Sequence, residues 1–236
     1  MLYAWRCLPE PSPHQRHSQG QSHASAPRRP IFAVVKEVFR APGDDIPRLI
    51  WIYSVGMLGF MSMTGILALY LQAEFGITER TIGLFFVYLG ALGLLMRAVI
   101  LGKLIDRFGE TRVMRMGAVL LALGLAAVPL PGTVLTLSLI IALVPIGTAL
   151  LFPATSALVT HRAPRAELGQ VLGVQQAFGS VARVIAPIWA AAAFQGLGHP
   201  VPFYIAGGVV AFVALLSLGV KQVVHGAAVA EHAAAS

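Results

Sequence analysis

Residues 134–158 read VLTLSLIIALVPIGTALLFPATSAL, a stretch without a charged side chain, bounded by the turn Pro131-Gly132 before it and by His161 and Arg162 after it. At about 1.5 Å of rise per residue, a helix over this stretch can cross a hydrocarbon core of about 30 Å. The run is continuous rather than alternating in and out, so it reads as a membrane helix and not as a barrel strand. Pro145, Gly147 and Pro153 inside it are no objection, because Gly and Pro are common in membrane helices.

Five further stretches of the same kind lie on either side: Leu49–Leu71, Thr81–Leu101, Met116–Leu130, Leu168–Phe194 and Pro202–Val220. Met116–Leu130 is the shortest. Over the whole chain 57% of residues are hydrophobic and 11% charged, against about a quarter charged in an ordinary soluble domain. The expected fold is therefore an all-α membrane protein with six transmembrane helices. The outer loops are short, so neighbouring spans should run antiparallel.

The net charge of +7 would suggest nucleic acid in a soluble protein, but the basic residues sort by loop. Arg6, Arg16, Arg28, Arg29, Lys36, Arg40 and Arg48 precede the first span, and the next loop carries only Arg80. Arg97, Lys103, Arg107, Arg112 and Arg115 flank the second loop, Arg162 and Arg165 lie in the fourth, and Lys221 follows the last span. By the positive-inside rule both termini are expected in the cytoplasm. No aromatic-interleaved basic patch or reading motif accompanies this charge, which argues against a nucleic-acid partner. Cys7 stands alone, so no internal disulfide can form.

Residues 1–30 are rich in His, Gln, Ser and Pro and are expected to be a disordered cytoplasmic tail; no apolar core of a signal peptide is present. Residues 31–47 form the next unit. In Ile31–Arg40 the residues Ile31, Phe32, Val34, Val35, Val38 and Phe39 share one helical face, opposite Lys36, Glu37 and Arg40, the pattern of a short interfacial helix. Ala41-Pro42-Gly43 ends it. The six-span unit then occupies residues 48–222, and residues 223–236 are expected to be a loose cytoplasmic tail.

Between the second and third spans, residues 102–112 read GKLIDRFGETR. Gly102, Asp106, Arg107, Gly109 and Arg112 resemble the loop motif of the major facilitator superfamily. Positions 110 and 111, basic in the stronger copy of that motif, are Glu110 and Thr111 here, as in the weaker copy of the second half of such transporters. The resemblance implies a gating loop, in which Asp106 accepts hydrogen bonds from a facing helix end or an Arg and holds one state of a two-state element.

A second resemblance covers residues 169–187, GQVLGVQQAFGSVARVIAP, which looks like the eleventh span of drug exporters of the superfamily. Ala186 precedes Pro187 where the related antiporter motif has Gly-Pro followed by paired glycines, so antiport does not follow from it. Read by geometry alone, Gly169, Gly173, Gln176, Ser180, Arg183 and Pro187 recur at spacings of four and three and form one polar or small stripe. Arg183 lies about 21 Å along this helix. A charge at that depth costs about 2.5–3.5 kcal/mol on insertion scales and should face a wet cavity or a partner. It is either a cavity or proton-coupling residue or a packing residue bonded to backbone carbonyls. Gln176 and Ser180 are cavity candidates, although such side chains also bond helix to helix for about 0.6 kcal/mol.

Pro145, Pro153 and Pro187 each remove a backbone donor and are expected to distort their helices, as in transporters whose broken helices flank the site. Thr148 and Phe152 lie beside that distortion and share a face. Tyr53, Met57, Met61 and Thr64 recur at helical spacing, a flexible wall suited to apolar ligands. His161, His199, His225 and His232 are scattered, so no metal site is expected, and no paired carboxylates or activated nucleophile suggest an enzyme.

The resemblance implies one half of a major facilitator fold, a 3+3 inverted repeat, with Ile31–Arg40 as the linker before a carboxyl-terminal half. It implies secondary active transport of a small molecule, in the efflux direction as in drug exporters, without a cofactor and with proton coupling as an option, in the plasma (inner) membrane. The partners implied are the lipid bilayer, a small-molecule substrate, and either a complementary six-span half or a second copy. The alternative is a six-span scaffold or an inactive fragment that transports nothing.

Overall fold

The computed structural model describes residues 30–220. The expectations of a disordered tail over residues 1–30 and a loose tail over 223–236 fall outside that range, Pro30 apart. The described chain is built of α1 (Ile31–Arg40), α2 (Asp45–Phe75), α3 (Glu79–Leu95), a π-helical turn (Met96–Ile100), α4 (Leu101–Phe108), α5 (Glu110–Ala127), α6 (Val134–Ile141), α7 (Leu143–Arg162), α8 (Leu168–Leu197) and α9 (Val201–Leu218).

Five helical segments are long and apolar enough to cross a membrane: Asp45–Phe75, Thr81–Phe108, Val134–Arg162, Leu168–Leu197 and Val201–Leu218. The second and third of these are composite, α3 continuing through the π turn into α4, and α6 into α7. The expected span Met116–Leu130 is different. Its helix, α5, begins earlier and stops at Ala127, two residues before Pro129, which has no N–H with which to continue the ladder. Glu110, Arg112 and Arg115 occupy the first two turns of α5, so only its later part is apolar.

Polar contacts mark the two ends of the bundle. At one end Arg48 Nη1 donates to Gly219 O (2.5 Å), Arg162 meets Asp45 (3.4 Å) and His161 Nε2 meets Glu110 (3.0 Å). At the other, His199 Nδ1 lies 2.7 Å from Glu74 Oε1. Arg48 and Asp45 join the start of α2 to the ends of α9 and α7, His161 joins the end of α7 to the start of α5, and Glu74 joins the far end of α2 to the α8–α9 loop, as antiparallel neighbours require. Gly76 (φ +62°) and Gly109 (φ +79°) turn the chain at opposite ends in conformations that L side chains rarely adopt.

Small residues let the helices approach closely, the usual solution where lipid tails remove any hydrophobic drive between helices. A Cβ on Gly117 of α5 would stand 2.5 Å from Leu151 N, and one on Gly147 of α7 would stand 2.6 Å from Leu121 N. Gly179 of α8 sits on the Tyr53 ring of α2, and Gly207 of α9 on Ala126 of α5. α2 is the central helix, with 56% of its apolar window buried, against 17% for the Thr81–Phe108 segment and 28% for α8. Those last two segments leave broad faces uncovered.

The short helix α1 lies against this bundle. Val34 and Val38 point inward, Trp51 Nε1 donates to Val38 O (3.0 Å), and Phe39, Trp51 and Phe178 form an aromatic cluster with centroids 5.5–5.8 Å apart. Ile31, Phe32 and Phe39, expected on the same face as Val34, remain exposed, because ten residues at 100° each spread six apolar side chains too widely for one contact.

Candidate functional site

A cavity of about 310 Å³ opens between α2, the Thr81–Phe108 segment and α7, lined by Phe60, Met63, Thr64, Phe86, Leu89, Gly90, Arg97, Pro145 and Thr148 among others. The helix break beside it falls at Ala142, one turn before Pro145, where the missing donor should act. Pro145 also packs on Gly93, whose added Cβ would lie 3.6 Å from Pro145 Cβ. Pro153 and Pro187 lie inside α7 and α8, which run on through both positions.

Arg97 is the main correction to the sequence reading. The expected span Thr81–Leu101 places it near the end beside the loop, but the helix continues to Phe108, leaving Arg97 about 16 Å of helix from that end. It sits in the π turn, where Leu101 N–H bonds Met96 O, five residues back. Such turns recur at functional sites, and no Pro announces this one.

On α8 the predicted stripe is one face: Gly169, Gly173, Gln176, Ser180, Arg183 and Pro187 are all exposed. The adjacent Gln175 is fully buried and bonds helix to helix, Nε2 donating to Ser156 Oγ at 3.3 Å. Tyr53 Oη donates to Gln176 Oε1 (3.4 Å), and Ser180 Oγ donates to Gln176 O (2.8 Å). The Tyr53 ring meets Phe152 at 5.3 Å between centroids, and Phe152 meets Phe60 at 6.3 Å. Stripe and cavity are thereby joined through three aromatic rings. Arg97 and Arg183 make no hydrogen bond or ion pair with any described residue.

The other wall candidates divide. Thr148 and Phe152 are nearly buried, and Thr148 Oγ1 donates to Pro145 O at 3.1 Å while still lining the cavity. Of the wall Tyr53, Met57, Met61 and Thr64, only Thr64 lines this cavity, beside Met63; Met57 is packed in the core and Met61 is half-buried. Among the described residues, no three His, Cys, Asp or Glu side chains gather as metal ligands would.

Residues 49–233 match the sequence profile of the Major Facilitator Superfamily. The chain belongs to that superfamily. No curated protein matches it. Its fold is similar to the crystal structure of the human organic anion transporter MFSD10 (TETRAN), with a TM-score of 0.68 at 20% identity, over 73% of this chain and 40% of that one. At that identity the likeness is one of fold, and this chain spans less than half the length of its structural relative.

In this superfamily member the loop motif forms an exposed corner. Gly102, Asp106, Arg107 and Arg112 are exposed, Arg107 lies over the Phe108 ring at 5.5 Å, and Gly109 makes the turn. Asp106 has no hydrogen-bond or ion-pair partner among the described residues. Glu110, which in sequence is only a departure from the motif, is 6% exposed and fastens the start of α5 to His161 at the end of α7. An acid in the first turn of a helix was the available signal. Arg115 caps α9, donating to Ser217 O (3.0 Å), Leu218 O (3.0 Å) and Val220 O (2.7 Å).

Proposed function

We propose that the chain is the carboxyl-terminal six-helix half of a major facilitator transporter, with α5 as the sixth crossing and a 3+3 inverted repeat. It carries out efflux of a small molecule by secondary active transport with proton coupling, in the plasma membrane with both termini cytoplasmic. The site lies between this unit and a complementary six-helix half or a second copy.

The observation that carries this reading is the uncovered face. The two least buried membrane segments are the ones that hold mid-helix arginines, Arg97 and Arg183. Lipid is a costly neighbour for such charges, whereas a second protein surface enclosing a wet pathway is not. Asp106 at the exposed corner is then free to receive a helix end from that second unit and to hold one conformation. The named activity of the structural relative, organic anion transport, is in keeping with a cationic wall.

The test uses inside-out vesicles of the native membrane, which carry the full chain together with any complementary half, energised by an imposed proton gradient, with uptake of a panel of fluorescent lipophilic anions, cations and neutral compounds measured. Uptake of at least one compound, reduced severalfold by Arg183→Ala at equal expression, is the expected result. If no compound enters faster than in vesicles lacking the protein, a six-span scaffold or inactive fragment replaces the transport reading.

A further inference from the structure

We infer that the cavity beside the π turn is an anion-binding site whose occupant is a small amphiphilic organic anion, with its carboxylate or sulfonate on Arg97 and its apolar body between Phe60, Phe86, Leu89 and Pro145. This deepens the transport reading by naming the substrate class.

Three observations combine. The cavity, about 310 Å³, has one charged lining residue, Arg97, and no acidic one, and it falls in the volume range of ligand pockets, about 300–1,000 Å³. Arg97 has no partner among the described residues, so nothing within this unit offsets its charge. The hydroxyl of Thr148 is already committed to Pro145 O, which leaves the guanidinium as the strong donor on an otherwise apolar wall. Guanidinium pairs with carboxylate or sulfonate through parallel N–H···O bonds whose planar fork matches the anion's two oxygens. A cation would be repelled there, and a neutral compound would leave the Arg97 charge uncompensated. The π turn adds a residue to the helix at the position that carries Arg97.

The test is equilibrium dialysis of 2-naphthoate and of 2-naphthamide, equal in shape and differing in charge, against the full chain in phosphatidylcholine nanodiscs. Naphthoate should bind about tenfold more tightly than the amide, the size of one charge-assisted hydrogen bond at a partly wet site. Arg97→Gln should remove the difference and Arg97→Lys keep part of it. Gly90→Leu, which places a side chain where an added Cβ meets nothing within 4 Å, should weaken both ligands equally and serves if Arg97→Gln fails to fold. Equal binding of the two ligands to the wild type, or a difference that survives Arg97→Gln, overturns the assignment. Phosphatidylglycerol added to the nanodiscs should leave naphthoate bound; its displacement there would assign the anion site to a lipid headgroup instead. Binding with charge preference but no vesicle uptake would remove the transport reading alone, and uptake without charge preference would remove this one alone.

Discussion

Gly207 and Gly208 are neighbours in α9, and the same substitution should act on them in opposite directions. A Cβ added to Gly207 would stand 2.9 Å from both Cβ and N of Ala126 and 3.0 Å from its Cα, whereas one added to Gly208 meets nothing within 4 Å. Ordinary contact begins near 3.4 Å, so α9 and α5 must part by about 0.5 Å, enough to forfeit a quarter or more of each lost contact along the seam. Backbone and Cβ atoms, unlike a flexible side-chain tip, cannot swing aside. Overpacking of this kind costs about 1–3 kcal/mol, and Ala in a helix interior returns up to about 1 kcal/mol. Gly207→Ala should therefore lose about 1–2 kcal/mol, while Gly208→Ala should be neutral or gain up to about 1 kcal/mol. Equilibrium unfolding in mixed dodecyl maltoside and SDS micelles, followed by tryptophan fluorescence, measures both. Shifts of the same sign, or a Gly207→Ala variant as stable as the wild type, would refute the packing argument.

Arg115→Ala should loosen the end of α9 by about 1–2 kcal/mol, since three carbonyl oxygens lose a charged donor at a partly solvated site; Arg115→Lys should recover only part, because one ammonium cannot fork between them. Faster proteolysis of the carboxyl-terminal segment at equal global stability is the readout. Gly90→Leu should lower transport severalfold while leaving the unfolding midpoint within error, since it fills open space rather than a packed seam. Asp106→Asn should slow switching between inward- and outward-open states with little change in ligand affinity, measured as a lower maximal uptake rate at an unchanged half-saturating concentration.

Much of the bundle was legible in the chain. Stretches such as residues 134–158 are local signals, and in lipid each backbone must satisfy its own hydrogen bonds, so a long apolar run has little choice but helix. The stripe on α8 was equally legible, because Gly169, Gly173, Gln176, Ser180, Arg183 and Pro187 lie at spacings set by the helix alone. The loop motif marked the corner at Gly109, where φ is +79°. Less visible was the extent of each rod. The span Thr81–Leu101 already holds Arg97, but close to its end and followed by Lys103 and Arg107, so that it looks like a flanking charge; the continued helix to Phe108 leaves it about three turns from that end.

By itself, then, the sequence determined that this protein is a helical membrane bundle, where its turns fall and which face of α8 is polar, because each of these depends on residues within one or two helical turns of one another. The tertiary structure decided which of two adjacent glycines is crowded and which of two adjacent glutamines is buried. It also decided that Met63 and Arg97 face the cavity with Thr64, while Met57 and Met61 do not. Those outcomes depend on how helices distant in the chain cross, and a crossing is set by the summed contacts of two surfaces, which no single stretch of residues contains.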